Sequence, residues 1–351
     1  MRIAFIIPSL ARRGPVLVVK NIVSQIINKV DVDVYYFDDI IEIKFDCLTY
    51  KINISDQIEF NKYDIIHSHG YRPNKYVWKN RKKIKGKTLT TVHSDIRIDL
   101  RYSYNIFISW IFRWVWLFFI KSHDKVVVLT KTVMNSYYKY YISKKKLIFI
   151  YNGISLIDIK ENSSIDLNDK KIIEINKEKK NKIIGANAML TKRKGLQYII
   201  SILPIIPDYV FLILGEGKER NKLLRLAKKL NVADRCYFLG FKNNAIAYLN
   251  YYDIYVIPSL SEGFSIALIE AVFAMKSCVC SDIDIFREIF TEDEVTFCDP
   301  KNKQSLKNAI EEAYTMRSQK GEKAYKRAIN NYTNKIMSNH YLELYRNVLT
   351  S

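Results

Sequence analysis

At 351 residues with an ordinary apolar share, the chain is long enough for two domains with full cores, and its composition excludes a disordered polymer. Fifty-six Lys and Arg against 36 Asp and Glu leave a formal charge of +20, which suits an anionic partner: a membrane surface, a phosphorylated substrate or nucleic acid. Nucleic acid is set aside, because no recognition motif is present and the cations are spread over both halves of the chain.

The opening residues, MRIAFIIPSL, superficially match a signal peptide. The apolar run ends at Pro8, Arg12 and Arg13 follow, and no small-residue cleavage site is present, so it reads as a first strand. Apolar runs at Arg2–Ile7, Val32–Phe37, Asp64–His67, Thr88–Val92, Lys125–Leu129 and Leu147–Ile150 alternate with helix-length segments. Repeated βα units of this kind predict a parallel, doubly wound sheet. Ligands of such sheets sit beyond the carboxyl ends of the strands, and there the polar residues gather: 8–15, 67–72, 93–97 and 130–132.

Between Tyr104 and Ile120 the chain reads YNIFISWIFRWVWLFFI, with Arg97 and Arg101 before it, Arg113 inside it and Lys121 after it. It is at the short limit for a bilayer span and carries a charge at its centre, so a transmembrane helix is set aside. Two readings stay open. One is a crossover helix buried against the sheet. The other is a helix that, with Tyr102 and Tyr104, faces an anionic membrane interface.

Asn152-Gly153 ends the first series, and the polar stretch that follows marks a domain boundary. The expected organisation is a first domain at 1–155, a linker at 156–181, a second domain at 182–332 and a terminal helix at 333–351. The second domain repeats the pattern, with strands near Ile183–Ala188, Tyr209–Leu214, Cys236–Leu239, Asp253–Ile257, Cys278–Cys280 and Val295–Cys298. Five cysteines, Cys47, Cys236, Cys278, Cys280 and Cys298, are odd in number and at no metal-ligand spacing. They read as reduced thiols of a cytosolic protein.

The most informative stretch is Asp253–Cys280, DIYVIPSLSEGFSIALIEAVFAMKSCVC. A short strand is broken by Pro258, Ser259, Ser261 and Gly263, and a helix opens at Ser265. From Ile266 to Met275 only Glu270 interrupts the apolar residues, so the helix is expected to be buried all round. The free N–H groups of Gly263, Phe264, Ser265 and Ile266 would form an anion site at the helix N-terminus. Glu262 and Glu270 bracket it and would take hydroxyls beside a phosphate, those of a sugar and of a ribose. That outline is a nucleotide-sugar; for Glu270 alone, a merely satisfied core carboxylate is the preferred reading. Lys192, Arg193 and Lys194, ahead of Gly195, could clamp a diphosphate, or could be a solvated basic turn.

EGFSIALIE, with its preceding strand and Ser281-Asp282, resembles the E-x7-E signature of the large retaining glycosyltransferase family 4, which also contains sucrose synthases, bacterial mannosyltransferases and many surface-polysaccharide enzymes. The resemblance implies the GT-B architecture: α/β, two doubly wound Rossmann-like domains facing across a cleft, with the last helix crossing back to the first domain. It implies transfer of a sugar from a nucleoside-diphosphate sugar, here expected to be a UDP-sugar, to a saccharide or lipid-linked saccharide in cell-surface polysaccharide synthesis. No metal and no further cofactor are expected.

Carried over residue by residue, the family pattern of Arg, four residues, then Lys-Gly places Lys194-Gly195 but meets Met189 at the Arg, leaving Arg193 or Lys192 as its substitute. Gly215-Glu216-Gly217 resembles the family's G-x-G, where a bare backbone admits a base or ribose; a plain strand-to-helix turn has the same form. Gly14, after Arg12 and Arg13, stands where the family has a Gly-rich loop touching donor phosphate and acceptor, although Pro15 follows and the usual Gly pair is lost. His93 corresponds to a His near the donor sugar and His69 to a His-Gly on the acceptor side; a capped strand end is the plain reading of each. The expected set is therefore His93, Lys194 and Glu262 as catalytic residues and Gly14, Arg193, Gly215, Gly263, Phe264, Ser265, Ile266 and Glu270 on the donor. Arg13 and His69 are expected on the acceptor side.

Metal is argued against at both candidate motifs. His67 and His69 lack a partner ligand at matching spacing. Asp282-Ile283-Asp284 follows a complete E-x7-E element and reads as a turn and helix cap. Two other classes remain: an epimerase or hydrolase of the same fold, using His69 and His93 for proton transfer, and a basic membrane-binding protein without catalysis. The expected location is cytoplasmic, peripheral on the inner face of the membrane.

Overall fold

Short apolar runs separated by helices can pair only side by side in one direction, and both sheets of the molecule are parallel throughout. The computed structural model describes residues 1–103, 105–140, 142–156 and 164–350. It divides into two units, Met1–Ser155 with Asn331–Ser351, and Leu156–Asn330.

The first unit holds β1 (Arg2–Leu10), β2 (Asp31–Ile41), β3 (Leu48–Lys51), β4 (Ile65–His69), β5 (Lys87–Val92), β6 (Lys125–Val128) and β7 (Leu147–Phe149), in the order β3-β2-β1-β4-β5-β6-β7. β1 is paired on both edges, Ile3 lying opposite Val32 on one side and Ile65 on the other, and its residues Ile3–Ile7 are fully buried. This is why its sequence is continuously apolar instead of alternating. β3 was not among the expected strands. It is an edge strand whose four residues are all exposed, so it leaves no burial pattern to read.

The second unit holds β8 (Lys182–Asn187), β9 (Tyr209–Leu214), β10 (Cys236–Gly240), β11 (Ile254–Ile257), β12 (Ser277–Ser281) and β13 (Thr296–Cys298), in the order β10-β9-β8-β11-β12-β13. The strand order reverses at β8, between β9 and β11, and the loops after β8 and β11 therefore leave the sheet on either side of a crevice. Those loops carry Lys192–Gly195 and Pro258–Ser265.

The expected linker at 156–181 is corrected in part. Leu167–Glu178 is a helix of the second unit, its N-terminus capped by the Asp166 carboxylate, and residues 157–163 lie outside the described residues. The polar composition that suggested a linker is that of a helix with few buried residues, Asp169, Ile173 and Asn176. The terminal helix, Asn334–Thr350, belongs to the first unit. Its Tyr341 hydroxyl lies 3.0 Å from Thr91 Oγ1 and its Tyr345 hydroxyl 2.8 Å from His67 Nδ1, and Ile154 is bridged to Thr333.

Candidate functional site

Gly195 decides how the second unit's site assembles. Its φ of +70° is one that residues with a side chain rarely adopt, and a Cβ there would stand 1.8 Å from the Pro258 carbonyl oxygen. The turn Lys192–Lys194 thus lies directly on the loop after β11, and the Leu260 N–H donates to the Arg193 carbonyl at 2.8 Å. From this seat Lys194 Nζ donates to Glu262 Oε1 at 2.6 Å, and Arg193 donates to the Ser261 carbonyl at 2.7 Å and lies 3.4 Å from Glu262 Oε2. Lys192 points outward and is exposed. Burial would push the Glu262 carboxyl up, but Lys194 and Arg193 outweigh it and hold the group below its ordinary value, as a carboxylate.

Glu262 is only 5% exposed. Two cations therefore converge on one buried anion, leaving the cluster one positive charge in excess. A diphosphate is the kind of ligand that such a cluster attracts and that can draw both cations onto itself. Met189, where the family pattern has Arg, is 60% exposed, and Arg193 is the second cation present at the carboxylate.

Gly263, Phe264 and Ser265 are buried in the turn, and Ser265 caps the helix Ile266–Phe273, its hydroxyl accepting from the Leu268 N–H at 3.3 Å. The expectation that this helix is buried all round is corrected: Leu268, Ile269, Ala271, Val272 and Phe273 are buried, but Ile266, Ala267 and Glu270 are half-exposed. These three lie at i, i+1 and i+4 and share one face, so Glu270 is not a core carboxylate but the polar end of an open stripe. Burial raises the Tyr255 phenol, and the charges of Glu270 and of Glu262 add to it. Tyr255 donates to the Asn187 carbonyl at 3.2 Å and accepts from its N–H at 3.0 Å. A small pocket here is lined by Asn187, Lys194, Tyr255, Pro258, Ser259 and Ser265. Sequence reasoning missed Asn187 and Tyr255; the first is a polar residue ending an apolar strand, a usable signal, and the second is hidden within one.

Gly215 has a different reason to be glycine from the one expected. Its φ is +127° and a Cβ would meet the Ala188 carbonyl oxygen at 2.0 Å, so the space belongs to the neighbouring loop, not to a base or ribose. Gly217 packs in the same way against Leu190. Asp282 and Asp284 are corrected too. Asp282 is ion-paired to Arg287, with a 2.9 Å contact, and Ile283 holds the cap position of the helix Asp284–Ile289 without a side-chain bond.

In the first unit, alternation puts His67 and His69 on one side of β4, their rings 4.4 Å apart. His67 is fully used, by Tyr345 and by Thr91 at 2.8 Å each. His69 Nδ1 lies 2.9 Å from His93 Nε2, and its buried Nε2 has no partner among the described residues. Being wholly buried, His69 backs His93 and does not present itself to an acceptor; that expectation is corrected. His93 is half-buried, and burial lowers its basicity to about 3, so it is a neutral imidazole. Gly14 opens the helix Gly14–Ile26 with Pro15 in its first turn, and Arg12 and Arg13 are exposed before it.

Residues 168–334 match the model of glycosyl transferases group 1, and residues 44–157 that of glycosyltransferase family 4. The O-antigen biosynthesis glycosyltransferase WclY of Escherichia coli is 33% identical over 99% of both chains. The chain belongs to glycosyltransferase family 4. A second relative of this transferase, the UDP-Gal:alpha-D-GlcNAc-diphosphoundecaprenol alpha-1,3-galactosyltransferase of Escherichia coli, is 24% identical over 66% of this chain and 61% of its own. The sucrose-phosphate synthase of Thermosynechococcus elongatus shares the fold, with a TM-score of 0.81 at 18% identity and 99% of each chain covered. The two doubly wound units of the transferase are thus those of the GT-B class.

Proposed function

We propose that this glycosyltransferase moves a sugar, with retention of anomeric configuration, from a UDP-sugar to a lipid-linked saccharide at the cytoplasmic leaflet, in the synthesis of a cell-surface polysaccharide. The observation that carries the donor half is the convergence of Lys194 and Arg193 on Glu262 beside a capped helix N-terminus, with Glu270 half-exposed one turn further on. As the bond to the anomeric carbon breaks, its electron pair leaves with the diphosphate, the acceptor's hydroxyl oxygen bonds to that carbon, and the hydroxyl proton passes to the departing diphosphate. Lys194, Arg193 and the N–H groups at Gly263–Ile266 meet that growing charge, so no metal is needed. Glu262, released from its cations, takes the sugar's hydroxyls, and Glu270 takes the ribose. His93, held neutral, offers a hydrogen bond to the transferred sugar. Retention and the role of His93 rest on the family resemblance. The UDP donor and the lipid-linked acceptor are supported by the galactosyltransferase relative, which uses UDP-Gal and a diphosphoundecaprenol-linked sugar.

The test is a calorimetric titration with UDP-, GDP- and ADP-sugars, followed by transfer of labelled sugar to polyprenyl-diphosphate saccharides. Saturable binding of a UDP-sugar and label in the lipid product are expected. Label recovered only as free sugar or as an epimer overturns transfer, and tighter binding of a GDP- or ADP-sugar overturns the nucleobase.

A further inference from the structure

The helix Ile106–Lys121 presents to solvent a face without a polar side chain. Ile106 is 77% exposed, Phe107 69%, Phe118 57% and Trp110 55%, and Ile108, Ile111, Trp114 and Val115 are exposed as well. Phe107, Ile111, Trp114 and Phe118 recur at i, i+4, i+7 and i+11, so they form one stripe along the outer side of the helix. Phe119 and Ile120, on the opposite side, are buried in the first unit. The apolar sequence is therefore not explained by a core, and the reading as a buried crossover helix is corrected. Tyr104, expected beside it, lies outside the described residues.

The stripe continues onto the neighbouring helix, Tyr71–Asn80, where exposed Trp78 stands 5.5 Å from Phe118. On the same helix Lys75 and Lys79 are exposed, and Lys82, Lys83 and Lys85 follow it, also exposed. Residues 71–85 and 105–121 together carry nine Lys and Arg and no Asp or Glu. Elsewhere among the described residues, exposed large apolar side chains stand singly or in short groups on separate elements. No described helix is long and apolar enough to cross a membrane.

We infer that this face is the membrane-docking surface, and that its partner is an anionic phospholipid leaflet. The inference deepens the peripheral reading above and rests on it. The helix lies in the plane of the interface, its sixteen residues spanning about 24 Å, with Phe107, Trp110 and Phe118 among the upper acyl chains. The lysines at 75–85 meet the headgroups. A second copy of this chain is the poorer occupant, because pairing two such faces sets the five exposed lysines at 75–85 against their own copies.

All four Trp of the chain, Trp78, Trp110, Trp114 and Trp116, lie on these two helices, and Trp78, Trp110 and Trp114 are exposed, so tryptophan emission reports this pair of helices alone. The experiment uses the full chain with vesicles of zwitterionic phospholipid, with and without anionic phospholipid. It compares the wild type with Phe107→Ser/Trp110→Ser/Phe118→Ser and with Lys75→Ala/Lys79→Ala/Lys82→Ala. The wild type should sediment with anionic vesicles, and its emission should shift to the blue and be quenched more by lipid brominated near the headgroup than at the chain end. The serine variant should lose at least tenfold in partition with an unchanged thermal midpoint. The lysine variant should lose its preference for anionic lipid.

Wild type that stays in the supernatant at low salt overturns both the peripheral reading and the face. Wild type that sediments with an unquenched emission, or a serine variant that sediments equally well, overturns the face and leaves the peripheral reading standing. Lipid-free association of the wild type that the serine variant abolishes, without vesicle binding, assigns the face to self-association instead. The quenching measurement on the wild type decides the matter even where the serine variant does not fold.

Discussion

The two units carry their polar residues in opposite electrical states. In the second, Glu262 is buried yet charged, because Lys194 and Arg193 reach it. In the first, His67, His69, His93 and His123 are packed as neutral rings, lowered in basicity by burial to about 3 for His67 and His93 and about 4 for His123. All five histidines of the chain, with His340 on the terminal helix, belong to the first unit. One unit keeps a buried carboxylate charged where a substrate anion can compete for its cations; the other buries four imidazoles as neutral rings. Acid should separate them.

The largest expected effect is therefore the pH dependence of the first unit. A ring titrating near 6.5 when unfolded and near 3 when folded binds its proton first in the unfolded state, so stability is complete above pH 6.5 and falls as pH drops toward 3. At pH 5 the loss is on the order of 2 kcal/mol for each such ring, a sizeable share of an ordinary domain's stability. Glu262 works in a lower window, its contribution being present above 4.5 and lost as pH falls through its depressed folded value. Calorimetry between pH 8 and pH 4.5 should show the first unit's transition moving down while the second holds; two transitions that move together would erase the contrast.

Next is the second unit's charge. Lys194→Ala should lower turnover by about 10²–10³-fold, the loss typical of one preorganised donor to a developing anion. Arg193 still partners Glu262, so the variant should remain folded. Turnover equal to the wild type would remove Lys194 from the chemistry and make the cluster a structural ion pair.

The second unit's site was the more legible in the sequence, and for a physical reason. Its chemistry lies mostly in loops, where a Lys-Gly pair, a Gly-Phe turn and the Glu262 carboxylate stand outside the apolar pattern of strands and helices. Gly195 is the residue that joins the two loops, and its φ of +70° is what a Lys-Gly turn signals. The open face of the helix Ile266–Phe273 was not legible, since an apolar helix next to a site has the same composition as one inside a core. The exposed helix Ile106–Lys121 shows the same ambiguity on a larger scale. In the first unit, the role of His69 depended on a 2.9 Å contact with His93, which is on another strand's loop and beyond any spacing rule. β3 was illegible because an exposed edge strand has no inside.

A third measurement sharpens the contrast within the second unit. Glu270 is half-exposed, so Glu270→Gln keeps the shape and should leave the thermal midpoint unchanged. Removing charge from an acceptor of two hydroxyls should weaken donor binding by about 1.5–3 kcal/mol, roughly 10- to 150-fold. Calorimetric titration reads this directly, and unchanged affinity in the folded variant would take the ribose away from Glu270.

The smallest effect is expected at Asp282, and it is informative because the residue also stands in a loop after a strand of the second sheet. Unlike Glu262 it is exposed, and so is its partner Arg287, which also reaches Glu292 at 3.0 Å and lies over the Phe297 ring. Water screens such a pair, so Asp282→Asn should shift the thermal midpoint by no more than about 2 °C. Its pairing holds the Asp282 carboxyl below its ordinary value, through the hydrogen bond to Arg287. That bond occupies the oxygens a divalent cation would need, and Asp284, the next carboxylate, begins the following helix. Turnover of Asp282→Asn should equal that of the wild type, and a chelator should change neither. If a chelator abolished turnover, added Mg²⁺ or Mn²⁺ restored it and Asp282→Asn were inactive, the charge that stabilises the leaving diphosphate would be a metal's, and Lys194 and Arg193 would be left with the structural task of holding Glu262.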